Sequence, residues 1–165
     1  MVFDLEPVDW VTVTTLMDNV TDIFMPDQGP ARRPPAEPGF PPQQAWLGGR
    51  WAPDPLVLDD QALVVDVAGK GLIVITGCGH AGIVNTCRYA RRLARERPLY
   101  AVIGGFHLNG PVFEPLIPAV LDDLAALSPS VIVPAHCTGW RAQHAIAARF
   151  GEAFVPDTVG TRFTL

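Results

Sequence analysis

The fold is decided by residues 62–80, which read ALVVDVAGKGLIVITGCGH. Two apolar runs of strand length, Ala62 to Val67 and Leu72 to Thr76, flank the turn formers Ala-Gly-Lys-Gly. This pattern predicts a β-hairpin. A helix is predicted next, from Ile83 to Arg97, because apolar residues recur there every three or four positions while arginines occupy the other side.

Strand-like and helix-like segments continue to alternate toward the C-terminus. Strands are predicted at 99–103 and 131–133, helices at 116–127 and 140–150, and a final edge strand at 159–165. Connections this short between such segments imply parallel strands joined by right-handed crossovers. The predicted fold class is therefore α/β, with reactive groups gathered beyond the carboxyl ends of the strands.

The segments before residue 59 are less regular. Residues 1–25 form an N-terminal strand region, in which β-branched residues from Val11 to Leu16 predict one strand. Residues 26–58 contain nine prolines between Pro26 and Pro55, which predicts an ordered or semi-ordered connection without regular elements. Residues 59–165 form the α/β body, and we treat 1–165 as a single domain.

Composition excludes several classes of protein. The 165 residues are 48% hydrophobic, which is enough for a core, and no apolar run reaches the roughly 18 residues of a membrane span. Asp4 and Glu6 stand where a secretory signal carries positive charge, so a cytoplasmic protein is expected. The net charge of −5 argues against nucleic acid and anionic membranes as partners. Three cysteines argue against a disulfide framework.

Three predicted strands end in the same kind of motif. The motifs are TGCGH, IGGFH and PAHCTG, and they place His80, His107 and His136 at intervals of 27 and 29 residues (107 − 80 and 136 − 107). These intervals are close to the roughly 30 residues of one βαβ unit, so the three histidines should meet at one sheet edge. Imidazole and thiolate are zinc ligands, which predicts a metal site made by the histidines, with Cys78 as a candidate fourth ligand. Three further residues are expected beside the ligands: Cys137, Thr138 and Asn85.

Other roles for these residues stay open at this point. A histidine that follows a strand can simply be held by backbone hydrogen bonds, and glycines at strand ends can serve only tight turns. Cys78 and Cys137 could be ligands, neighbours of ligands or packing residues. Cys87 falls on the apolar side of its helix and is expected in the core, whereas His144 is expected at the surface or in packing.

Several longer runs resemble a known family. They are DDQALVVDVAGKGLIVITGCGHAGIVNT (59–86), AVIGGFHL (101–108), VIVPAHCTGWRA (131–142), DNVTDIFMPDQGPARRP (18–34) and the closing VPDTVGTRF. They resemble the ribofuranosylaminobenzene phosphate synthase-like branch of the metallo-β-lactamase superfamily, named after the methanopterin pathway. The resemblance implies an incomplete αββα sandwich, mainly its C-terminal half. It also implies zinc or another divalent metal, mostly hydrolytic chemistry, and His136 as the last metal ligand.

One departure from the family shapes the functional prediction. The superfamily's first motif, H-x-H-x-D-H, is absent from the chain, and by resemblance a central block is missing near residues 33–37. At most one metal ion is then expected, with reduced or no hydrolase activity, and no residue is assigned a catalytic role. The remaining sheet should expose an edge or an apolar face.

The missing motif leaves two alternatives to an active enzyme. The chain could be a non-catalytic relic or scaffold that covers its exposed face by forming a homo-oligomer. It could instead be one half of a split enzyme completed by another chain. Its small-molecule substrate is not predicted.

Overall fold

The computed structural model describes residues 2–4, 9–13, 44–47, 49–53 and 60–165. Residues 14–16 of the predicted N-terminal strand and the region near 33–37 lie outside the described residues. The strands are β1 (Val2–Asp4), β2 (Asp9–Val13), β3 (Gln44–Leu47), β4 (Arg50–Pro53), β5 (Ala62–Val67), β6 (Gly71–Thr76), β7 (Leu99–Gly105), β8 (Val131–Ala135) and β9 (Arg162–Thr164). The helices are α1 (Ile83–Leu93), α2 (Ile117–Leu127) and α3 (Trp140–Phe150).

A five-stranded sheet forms the centre of the described structure. Its order is β2-β5-β6-β7-β8, with antiparallel pairing up to β6 and parallel pairing from β6 to β8. The β5–β6 hairpin and the two crossovers through α1 and α2 confirm the predicted α/β arrangement. Since β6, β7 and β8 run in the same direction, their carboxyl ends lie side by side.

Both faces of the sheet are buried at strands β5 to β8. The helices cover one face, where Val74, Val102 and Ile132 of the sheet pack in the same cluster as Cys87, Leu124 and Ile146. On the other face Val65, Ile73, Ala101, Ile103 and Val133 are fully buried, in a cluster that includes Phe163 of β9. The sequence predicted an exposed apolar face, but strands β5 to β8 do not show one, and Val155, Phe163 and Leu165 pack in this cluster.

The outer edge of β8 is also partly protected. The Val155 N–H donates to the Ile132 carbonyl at 2.9 Å, and Phe154 forms a bridge to the same residue. Pro134 has no N–H to offer a further strand. The sequence predicted an open sheet edge, and at β8 the segment that follows α3 pairs with part of that edge.

Two sequence predictions need correction. The helix predicted to reach Arg97 ends at Leu93, and Arg95 and Glu96 have φ values of 53° and 61°. The left-handed residues Arg95 and Glu96 turn the chain out of the helix, and Pro98, which disfavours helical geometry at Arg97, keeps the helix from resuming. The connection at 26–58 was predicted to lack regular elements, yet β3 and β4 form a hairpin there, around the sequence Gly48-Gly49. Gly-Gly is a two-residue hairpin signal that the surrounding prolines obscured.

Helix length also bears on membrane insertion. In the described ranges, no helix combines the length and the apolar character needed to cross a membrane.

Candidate metal centre

The carboxyl ends of β6, β7 and β8 approach one another very closely. The Gly105 N–H donates to the Gly77 carbonyl at 2.8 Å, which joins the loop after β6 to the end of β7. A Cβ atom on Gly105 would lie 2.5 Å from Cys137 Sγ and 2.9 Å from His136 Cε1. A Cβ atom on Gly79 would lie 2.6 Å from the Gly105 carbonyl oxygen. Glycine at these positions therefore lets three chemically active loops meet.

Three side chains converge at this point. The ligand atoms of Cys78, His107 and Cys137 all lie within 4.8 Å of one another, and each residue is half-buried. Zinc binds sulfur at about 2.3 Å and imidazole nitrogen at about 2.0–2.1 Å, so ligand atoms around one ion are themselves only a few ångströms apart. The donor set of two thiols and one imidazole fits a zinc-like ion in spacing and in chemistry.

His136 and His80 stand beside these three residues. His136 is exposed, and its Nε2 atom lies 3.1 Å from Cys78 Sγ. The ring of His80 is half-buried and meets the ring of His107 edge to face, with 4.4 Å between the centroids. Phe113 makes a second edge-to-face contact with His107, at 4.7 Å. The His107 ring is thus held between two aromatic neighbours, while His136 is accessible from solvent.

The backbone at His107 is unusual. Its φ of 47° is in the left-handed region, which is costly for a residue other than glycine. The Phe106 N–H donates to the Thr138 hydroxyl at 3.1 Å, and Phe106 is buried. Strained residues of this kind persist where the surrounding structure enforces them, and they cluster at functional sites. Thr138, predicted to lie beside the ligands, therefore fixes the backbone that carries His107.

The loop between His80 and α1 is fixed by two further polar residues. The Ala81 N–H donates to the Asp60 carboxylate at 2.8 Å, and the Asn85 side-chain amide donates to the Ala81 carbonyl at 2.8 Å. Both polar side chains are buried. Asn85 thus holds the loop that carries His80, while its place beside a metal ligand stays a prediction.

The two thiols are coupled through hydrogen bonds. The Cys137 thiol donates to the Cys78 carbonyl at 3.2 Å. Burial, followed by the interaction with the Cys78 side chain, raises the pKa of Cys137 to about 12, although the His107 N–H acts in the opposite direction. Burial alone raises the pKa of Cys87 to about 12. Without a cation Cys137 is therefore a neutral thiol at neutral pH, and a bound metal would have to displace its proton.

The structure gathers all the sequence-predicted ligands at one sheet edge, but Cys137 takes a more central position than predicted. Residues His136–Thr138 form one turn of 3-10 helix, in which consecutive side chains point in different directions. Cys137 joins the cluster of ligand atoms, whereas His136 approaches Cys78 from the exposed side. In the sequence, the adjacent residues His136 and Cys137 both indicated a metal site. The geometry of the turn shows that Cys137 lies deeper than His136.

Comparisons with known proteins bear on the fold and on the family resemblance. No family model matches the chain. It is 34% identical over 97 residues to the 7,8-dihydropterin-6-methyl-4-(β-D-ribofuranosyl)-aminobenzene-5'-phosphate synthase of Methanocaldococcus jannaschii, covering 59% of this chain and 33% of that protein. It is 38% identical over 86 residues to an uncharacterized protein of the same organism, covering 52% of this chain and 30% of that protein. The chain thus spans about a third of the length of the curated relatives that it matches.

A solved structure matches over most of the chain. Tm1679, described as a metal-dependent hydrolase of the β-lactamase superfamily, superimposes with a TM-score of 0.64 and 25% sequence identity. The match covers 96% of this chain and 56% of that one. It confirms the fold and the family resemblance that the sequence motifs indicated.

Proposed function

Because this chain has a metallo-β-lactamase fold, which it shares with a metal-dependent hydrolase, we propose that it is a single-metal hydrolase-like protein of low activity. The observation that carries the proposal is the convergence of Cys78, His107 and Cys137 within 4.8 Å at the carboxyl edge of the sheet. Zinc is the favoured ion because its preferred ligands are thiolate and imidazole. When bound, such an ion supplies Lewis-acid chemistry for hydrolysis.

The residues divide into three tasks. Cys78, His107 and Cys137 hold the metal, and exposed His136, whose Nε2 atom is 3.1 Å from Cys78 Sγ, is available as a further ligand or to carry a proton. His80 contacts the His107 ring and keeps it in place. Thr138 holds the backbone segment that carries His107, and Asn85 holds the loop that carries His80.

Low activity is expected from the ligand count. Efficient hydrolysis in two-metal sites depends on a pair of ions that stabilises both the attacking and the leaving oxygen. The 165 residues contain no H-x-H-x-D-H motif, and the strand-end cluster offers one group of three donor atoms. We therefore expect slow turnover of activated esters, and complete loss of that turnover on chelation.

Metal analysis of the purified protein tests this proposal. About one zinc ion per chain is expected, with loss in Cys78→Ser, His107→Ala and Cys137→Ser. The controls are His144→Ala, which alters an exposed histidine of α3, and Cys87→Ala, which alters a buried cysteine of α1. Both controls should retain the ion. A folded wild-type protein without bound metal would rule out the proposal.

A second candidate function is half of a two-chain metal centre. It is supported by the single-ion donor set and by the match to only 33% of the curated synthase. In this arrangement another chain, or a second copy of this one, supplies further ligands. The mass in solution and the metal content of each species separate the two candidates, because a monomer that binds one ion supports the single-chain site, whereas metal found only in a two-chain complex supports the shared site.

A further inference from the structure

We propose that Cys78 and Cys137 form a reversible disulfide that disables the metal site when the protein meets a peroxide. This inference rests on the proposed function, since it assigns a regulation to the same site. Cys78 and Cys137 have Sγ atoms within 4.8 Å of each other, and both side chains are half-buried, so small oxidants can reach them. A disulfide needs sulfur atoms about 2 Å apart, so the two side chains must close a gap of at most about 3 Å.

The local backbone permits that movement. Cys78 lies between Gly77 and Gly79, and a Cβ atom on Gly77 would meet nothing within 4 Å. The loop that carries Cys78 therefore has glycine on both sides of it, and Gly77 has open space around it.

The reaction consumes one peroxide and produces two waters. Cys78 Sγ attacks one peroxide oxygen, so that an S–O bond forms, the O–O bond breaks and the thiol proton leaves with the departing oxygen as water. Cys137 Sγ then attacks Cys78 Sγ, so that the S–S bond forms, the S–O bond breaks and the second thiol proton leaves with the hydroxyl group as water. Two thiols are oxidised and the peroxide is reduced. Cys78 is the thiol that reacts with peroxide first because its Sγ lies beside exposed His136, whereas the Cys137 thiol hydrogen is directed at the Cys78 carbonyl.

The disulfide and the metal compete for the same atoms. Two of the three donors in the cluster are the cysteine sulfurs, and neither remains a free thiolate once the S–S bond has formed. Oxidation should therefore release the ion, and a bound ion should protect the thiols. Cys87 provides an internal reference, since it is fully buried in the helix-covered core and is remote from solvent.

Hydrogen peroxide, added to chelator-treated and to zinc-loaded protein, tests the proposal. In the metal-free protein, free thiols counted after denaturation should fall from three to one, and peptide mapping should find Cys78 linked to Cys137. In Cys87→Ala the count should fall from two to none. Dithiothreitol should restore the thiols, and zinc loading should slow their loss. Retention of all three thiols, sulfinic or sulfonic products, or links between chains would each overturn the proposal.

Zinc uptake, measured separately on reduced and oxidised protein, distinguishes a failure of the disulfide switch from a failure of the proposed metal site. Reduced protein that binds zinc and oxidised protein that does not would support the switch. Equal zinc binding by both forms would overturn it. Reduced protein that binds no zinc would overturn the proposed function, while the thiol count would still decide whether the disulfide forms.

Discussion

The amino and carboxyl ends of the parallel strands use the same backbone device but carry different chemistry. At the amino end Gly71 lies against the Pro98 backbone, and the Leu72 N–H donates to the Pro98 carbonyl at 2.8 Å. At the carboxyl end Gly105 lies against Cys137, and its N–H donates to the Gly77 carbonyl, also at 2.8 Å. Close packing through glycine is therefore a requirement of the fold and does not by itself mark a site.

The side chains around the two ends make the difference. Near the amino end the Arg97 guanidinium donates to both oxygens of Asp66, with a shortest distance of 2.8 Å, so the two charges satisfy each other. At the carboxyl end two thiols and an imidazole converge, and the backbone of His107 adopts a left-handed conformation. The carboxyl end is therefore distinguished by its soft donor atoms. Neither the glycines nor the left-handed backbone distinguishes it, since Arg95 and Glu96 near the amino end also have positive φ values.

The largest combined loss of stability and zinc binding should come from a methyl group placed in the close contact at Gly105, at the carboxyl ends of the strands. Gly105→Ala would place a methyl group against Cys137 Sγ and the Gly77 carbonyl oxygen, which should lower stability by roughly 1–3 kcal/mol and abolish zinc binding. Thermal or urea unfolding and zinc content measure the two effects. Gly77→Ala is the matched control in the neighbouring loop, since a Cβ there meets nothing within 4 Å. A Gly105→Ala protein with normal stability and normal zinc content would contradict the account of this contact.

The corresponding change at the amino end should separate stability from metal binding. Gly71→Ala would collide with the Pro98 carbonyl at a backbone φ of 121°, so it should also destabilise the fold by roughly 1–3 kcal/mol. Zinc per folded chain should stay unchanged, because the ligand atoms lie at the other end of the strands. Loss of zinc from folded Gly71→Ala protein would contradict the claim that metal binding depends on the carboxyl end alone.

Removal of the hydroxyl that supports His107 should weaken zinc binding without abolishing it. Thr138→Val keeps the shape of the side chain but leaves the buried Phe106 N–H without its acceptor, which should cost about 1–3 kcal/mol. Zinc affinity should fall roughly 10- to 100-fold, as is usual when a group that orients a ligand is removed. Thr86→Val is the control, since its hydroxyl bonds to the Gly82 carbonyl that already accepts the Thr86 N–H. Equal zinc affinity in the two variants would exclude a positioning role for Thr138.

The smallest effect should follow from removing the ion pair near the amino end. Arg97→Met removes the partner of Asp66, and both side chains are partly open to solvent, so screening by water limits the loss. The melting temperature should fall less than in Thr138→Val, and zinc affinity should not change. A change in zinc affinity in this variant would show that the two ends are energetically coupled.

Much of the fold could be predicted because apolar periodicity carries that information. The hairpin of residues 62–76 and the helix at 140–150 were predicted with boundaries within one residue of those observed. Strands β7 and β8 continue beyond the predicted boundaries, to Gly105 and Ala135. The glycines of β7 and the proline of β8 were interpreted as residues that end a strand. Close packing between strands, however, requires the glycines at the end of β7.

The candidate site was predictable in location but not in detail. The spacing of the histidines brought His80, His107 and His136 to one edge because each follows a strand of the same sheet. Which side chains converge depends on local backbone geometry, namely the positive φ at His107 and the 3-10 turn at His136–Thr138. Neither feature has a periodic signature in sequence, so the central position of Cys137 could be found only in three dimensions.

X-ray absorption at the zinc edge of the metal-loaded protein tests the central claim most directly, because it measures which atoms surround the ion. The account predicts a shell of about two sulfur atoms at about 2.3 Å, together with imidazole nitrogen at about 2.0 Å, from Cys78, Cys137 and His107. A shell of nitrogen and oxygen alone would contradict it. That result would place the ion on the histidines without the cysteine pair.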